Sequence, residues 1–125
     1  MDVYPHLDEN WEKADPAHFT GSARVQRVVG GDGPPPIKTY LVEFQPGART
    51  HWHSHSGVQL LIVLKGRCLL QKWAEAVRQV EAGSQVSIAP GEKHWHGAAA
   101  GAVMAHVAVN IDASTTWMEA VGEEQ

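Results

Sequence analysis

Apolar residues in this chain come in bursts of about five to eight, rich in Val, Ile, Leu and aromatics and separated by turn-forming clusters, the pattern of short strands. Strands are predicted at Ala23 to Val29, Ile37 to Phe44, Gln59 to Leu64, Arg67 to Trp73, Ala76 to Val80, Gln85 to Ile88 and Val103 to Ile111. Turn-forming stretches punctuate them: GGDGPPP at 30–36, then PG at 46–47, SG at 56–57, KG at 65–66, AG at 82–83 and PG at 90–91. Short strands at even spacing without intervening helices predict an all-β antiparallel sandwich or barrel and exclude a βαβ fold. The ends differ. Residues 1–21 have no period and read as an extended arm or a loose first strand pair. Ser114 to Glu124 reads as a short helical tail, with Ser114 as its N-cap and Trp117, Met118 and Val121 as an apolar stripe. No repeat or linker divides the chain, so residues 1–125 are expected to form a single domain, with the prolines at 34–36 a rigid loop.

Composition narrows the function. Ten Lys and Arg against fourteen Asp and Glu leave a formal charge of −4, with no basic surplus for nucleic acid. The longest aliphatic run, Leu60 to Leu64, is far short of the roughly 20 residues of a spanning helix, so no membrane partner is expected. The opening MDVYPHLDEN has no apolar h-region. The lone Cys68 cannot close an intramolecular disulfide, which favours a reducing, cytoplasmic location.

The eight histidines are clustered. His51, His53 and His55 fall together, as do His94 and His96; His106 stands alone, and His6 and His18 lie near the N-terminus without a supporting pattern. Residues two apart on a strand share a face, roughly 6.5–7 Å between Cα atoms, so His53 and His55 can chelate one metal. The turn at Ser56-Gly57 brings Gln59 to the head of the next strand, where its amide oxygen could join them. The PG turn at 90–91 delivers His94 as a candidate fourth ligand, with His96 on the same face.

The segment PGARTHWHSHSGVQLLIVLKG resembles the first motif of the cupin superfamily, with Gly47, His53, His55, Gln59 and Gly66 at the family's intervals. The segment GSQVSIAPGEKHWHGA resembles the second motif through Gly83, Gly91 and His94, with Ala89 and Ala98 where the family tends to have Pro and Asn. The motifs span about residues 46–98 and imply a cupin β-barrel, a jelly roll. Gln59 stands where the motif has glutamate. A divalent ion among three neutral imidazoles and a carboxamide keeps its full double charge, which favours Lewis-acid chemistry over oxygen activation.

With PGEKHWHGA and MAHVAV, the HxHxxxQ set is similar to the small manganese-dependent cupin hydroxynitrile lyases. That resemblance implies a metal at His53, His55, Gln59 and His94 and proton transfer by His96 and His106 on a small carbonyl or cyanohydrin substrate. Manganese is favoured, with iron, zinc, nickel or cobalt as alternatives. Two rival functions share the barrel: a dioxygenase of the quercetinase or thiol-dioxygenase kind, and a non-enzymatic small-molecule-binding module. A homodimer or homotetramer is expected from the barrel edges and aromatics.

Other residues have plainer roles. Met104, His106, Ala108 and Asn110 share one face of their strand, lumen or solvent; the opposite face, Val103, Ala105, Val107 and Val109, suits packing on a second sheet. Trp52 and Trp95 alternate with the histidines and point away from them as packing residues. Tyr40 and Val42 are candidate pocket residues. His51 is a weaker ligand candidate than His94, and Cys68 reads as an inert core thiol.

Overall fold

The computed structural model describes residues 1–5, 7 and 10–122; His6 lies outside the described residues. Among the described residues thirteen strands run in the order β1 (Glu12–Lys13), β2 (Phe19–Thr20), β3 (Ala23–Gly31), β4 (Ile37–Phe44), β5 (Arg49–Thr50), β6 (His53–His55), β7 (Val58–Lys65), β8 (Arg67–Lys72), β9 (Arg78–Glu81), β10 (Gln85–Ile88), β11 (His94–Ala98), β12 (Met104–Ile111) and β13 (Thr115–Trp117). No helix occurs among the described residues, and none is long and apolar enough to cross a membrane.

Two antiparallel sheets enclose the interior. The first has the order β1-β3-β4-β12-β7-β10; in the second, β11 carries β5 and β6 on one edge and β8 on the other, with β13 beyond β6, β2 beyond β5 and β9 beyond β8. Alternation sets what each strand buries. On β7, Gln59, Leu61 and Val63 face inward, whereas Ile62 and Leu64 are exposed. On β12 the inward set is Met104, His106, Ala108 and Asn110. The face with Val107 and Val109 is therefore the outer, half-buried one, and it is the His106 face that meets the second sheet.

The apolar core lies in two parts around the histidines. Val42, Phe44, Ala48, Val63, Cys68, Ala98 and Met104 form one cluster, and Leu61, Ile88 and Ala108 the other. Burial of Cys68 pushes its thiol pKa up to about 12, as for an inert core residue. Gly57 and Gly97 are among the glycines that permit close approach: a Cβ on Gly57 would lie 2.2 Å from the Ile111 carbonyl oxygen, and one on Gly97 would lie 2.4 Å from that of Ala48. Gly57 thus sets the β6–β7 turn that brings Gln59 beside the histidine pair.

The ends depart from expectation. No helical tail forms over Ser114 to Val121; Glu124 lies outside the described residues. Thr115, Thr116 and Trp117 pair with His55, Ser54 and His53. The physical reason is local. Two β-branched threonines and a tryptophan fit an extended edge better than a helix, and the free edge of β6 offers backbone partners, Ser56 N–H donating to Ser114 and Met118 N–H to Trp52. Ser114 spends its amide on the Ser56 hydroxyl, 2.9 Å away, instead of capping a helix. In the N-terminal segment, β1 and β2 pair with β3 and β5 rather than with each other.

Candidate metal centre

The histidines gather where β6 and β11 lie side by side, with His94 directly opposite His53. The rings of His53 and His94 are 4.3 Å apart, those of His53 and His55 5.0 Å, and those of His55 and His94 5.4 Å. Gln59 enters from β7, its Oε1 3.3 Å from His94 Nε2. His96, two residues along β11, lies 5.2 Å from the His53 ring. All five residues are buried. The His51 backbone carbonyl meets the site through the His53 ring, whose Nδ1 lies 2.8 Å away.

Hydrogen bonds fix the ring nitrogens. His53 Nδ1 donates to the His51 carbonyl at 2.8 Å, and His94 Nδ1 to the Glu92 carbonyl at 2.7 Å. A neutral imidazole with its hydrogen on Nδ1 has a lone pair on Nε2. Gln59 Nε2 donates to Asn110 Oδ1 at 2.9 Å, so Gln59 Oε1 also presents lone pairs, and it faces His94 Nε2. Two acceptors meeting in a buried site repel unless a cation lies against both. His55 Nδ1 and His96 Nε2 are buried without a hydrogen-bond partner among the described residues. This donor set fits a divalent transition ion: neutral imidazoles, an acceptor oxygen and carbonyls that hold the rings. The ligand atoms of His53, His94 and His96 all lie within 4.8 Å of one another, so this trio could hold a metal.

Electrostatics keeps the rings neutral. Burial, then the neighbouring His94, lowers the His55 pKa to about 4, and burial lowers His106 to about 4. His53 and His96 are held well below the ordinary histidine value by burial and by the surrounding imidazoles. Burial also lowers His94, against the opposing pull of the Glu92 carbonyl.

His96 and His106 form a second unit. His96 Nδ1 and His106 Nε2 are 2.9 Å apart, one donating to the other, and His106 Nδ1 has no hydrogen-bond partner among the described residues. The backbone N–H of His96 donates to Thr50 Oγ1 at 3.2 Å. The pair lines a cavity of about 250 Å³ with His53, His55, Gln59 and Asn110. The remaining wall is mostly apolar, with Phe19, Val25, Tyr40, Val42, Phe44 and Trp117. Trp52 and Trp95 are buried on the other side, covered by Trp73 and by the Arg49 guanidinium, respectively.

Sequence reasoning missed Phe19, Thr50 and Trp117. Trp117 lies between the His53 ring, 4.6 Å away, and His18, on which it stacks at 4.2 Å. Its helical reading hid this. Strand alternation from β6 could have found it only with the pairing known.

Several proteins share this architecture. The chain is 41% identical over 110 residues to an (R)-mandelonitrile lyase from Granulicella tundricola, covering 86% of this chain and 84% of that protein. A crystal structure of a cupin-like protein from Thermotoga maritima is 36% identical with a TM-score of 0.88, covering 95% of this chain and 92% of that one. A polyketide cyclase from Streptomyces resistomycificus, 18% identical over 98% of this chain and 86% of that one, shares the fold with a TM-score of 0.78. The profile of the cupin domain matches residues 40–110, the stretch that runs from the pocket wall on β4 to Asn110 on β12, and with the two enclosing sheets this makes the chain a member of the cupin family.

Proposed function

We propose that this cupin is a metal-dependent lyase that cleaves or forms cyanohydrins, with His53, His55, Gln59 and His94 holding a divalent transition ion, manganese by preference, and His96 and His106 moving the protons. The observation that carries this reading is the buried His96–His106 pair beside the ligand cluster, in a pocket whose opposite wall is apolar. The likeness to an (R)-mandelonitrile lyase supports the choice of reaction. A bound dication would supply Lewis acidity, lowering the pKa of a substrate hydroxyl.

The chain's own residues account for the proton balance. Cleavage removes the hydroxyl proton, breaks the bond between the carbinol and nitrile carbons with its electron pair leaving on cyanide, and protonates the cyanide. One ring takes the hydroxyl proton at its free nitrogen while the other releases a proton from its own. The hydrogen between them crosses the 2.9 Å bond, so both rings end neutral. Their depressed pKa values suit rings that pass protons without storing charge. The apolar wall receives the aryl or alkyl substituent of the carbinol and keeps water from it.

The test uses mandelonitrile and the protein loaded in turn with manganese, iron, zinc, nickel and cobalt, following cyanide and benzaldehyde by chromatography. Release above the blank is expected, falling about 100- to 10,000-fold in His106→Ala with metal content unchanged. No release with any of the five ions sinks the reading, and oxygen uptake by the iron-loaded protein in its place would move the site to a dioxygenase.

A further inference from the structure

We infer that Asn110 is a positioning residue that sets which end of the Gln59 carboxamide faces the ion, making the oxygen the ligand. The inference rests on the metal-centre reading and does not depend on the lyase. A carboxamide has two ends of nearly equal size, and only its oxygen has lone pairs to offer a divalent cation. Something must choose between them. Gln59 on β7 and Asn110 on β12 are directly paired across the sheet, both are buried, and Gln59 Nε2 donates to Asn110 Oδ1 at 2.9 Å. With its nitrogen occupied, Gln59 is left with Oε1 toward His94 Nε2 at 3.3 Å.

The reverse arrangement would satisfy the ligand-free protein better. If both amides turned over, Asn110 would donate to Gln59, their mutual bond would survive, and Gln59 would also donate to His94 Nε2. The observed arrangement forgoes that bond and leaves two acceptors facing each other, which suits a site prepared for a cation. Removing the acceptor at position 110 would free Gln59 to turn its N–H toward His94 and cover the lone pair the ion needs.

The experiment titrates the full chain, stripped of metal with a chelator, with Mn²⁺ and Zn²⁺ by calorimetry. Asn110→Ala is expected to weaken both ions about 10- to 100-fold, the usual cost of losing a residue that supports a ligand. In a Gln59→Glu background the same change should cost no more than about twofold, the scatter of independent sites, because the two carboxylate oxygens are equivalent. Asn110→Asp keeps the acceptor, so it should hold or tighten the ions beside the native glutamine.

Equal losses for Asn110→Ala in both backgrounds, no loss in either, or an Asn110→Asp variant that behaves like Asn110→Ala beside the native glutamine would overturn the role of Asn110. If Asn110→Ala lacks the native near-ultraviolet circular dichroism, Asn110→Asp beside the native glutamine decides the matter, retained or tighter binding supporting the role and a loss of about 10- to 100-fold overturning it. A native chain that takes up neither ion overturns this inference together with the metal-centre reading.

Discussion

The two sheets aim their functional side chains by different means. In the six-stranded sheet, Gln59, His106 and Asn110 stand on strands of eight residues, each flanked by two neighbours. There the ladder sets the direction of each side chain, and one cross-strand or cross-sheet bond finishes the job: Gln59 to Asn110, His106 to His96. In the facing sheet, His53 and His55 stand on a strand of three residues and His94 opens one of five. So short a ladder leaves the ring free to turn, and His53 and His94 are each tied to the carbonyl two residues back in sequence. Long strands can carry function on few extra bonds; on the short ones two rings, His53 and His94, have a tether, while His55 Nδ1 has no hydrogen-bond partner among the described residues.

The sharpest break of this comparison lies in the two candidate ligand sets. If β6 and the head of β11 supply the ligands with Gln59, His55→Ala should lose far more ion than the roughly 10–100-fold typical of a supporting residue, while His96→Ala should keep it. Elemental analysis after dialysis reads both. The opposite result, ion retained in His55→Ala and lost in His96→Ala, would give the site to the His53, His94 and His96 trio whose ligand atoms lie within 4.8 Å.

The same difference explains what could be read from the sequence. Strands β4, β7 and β12 have eight residues each, long apolar-rich runs bounded by turn-forming residues, and their bounds follow closely from that. Strands β5, β6 and β13 have two or three residues, too few to show any period, and β6 was legible only through the chemistry of its histidines. Trp117 was misassigned because Trp117, Met118 and Val121 also satisfy helical spacing, and only the open edge of β6 decides between the two. The Gln59–Asn110 bond joins residues 51 apart in sequence and is invisible without the β7–β12 register.

A smaller effect tests whether the short-strand sheet relies on its outer edge. Trp117 packs between His18 and His53, and β13 adds the edge ladder that covers β6. Replacing this half-buried ring in Trp117→Ala should cost about 1–3 kcal/mol in chemical unfolding, below the 3–5 kcal/mol of a fully buried aromatic. Metal affinity should fall with it, since the His53 ring loses its cover. Full stability with native affinity would mean that the carbonyl tether alone holds that ring.

The smallest effect belongs to the long-strand sheet, on a side chain that alternates with the pocket-lining Val42 and Phe44. Glu43 on β4 receives Arg24 from β3 at 3.1 Å and Lys65 from the end of β7 at 3.4 Å. Ala105 lies opposite both Glu43 and Lys65, and its small side chain lets the lysine cross β12 to reach the carboxylate. The Arg24 hydrogen bond, followed by the attraction of both cations, holds Glu43 below its ordinary 4.5 against a burial effect that raises it. A carboxyl with a lowered folded-state pKa stabilises the fold above its unfolded value, and that contribution disappears as pH falls through the folded one. Glu43→Gln should therefore lose about 0–1 kcal/mol near neutrality, screened by salt, and should flatten the acid side of the stability curve below pH 4.5. An unchanged acid slope in thermal melts would show that these three strands are held by their backbone ladders alone, the condition under which a long-strand sheet needs no tether at all.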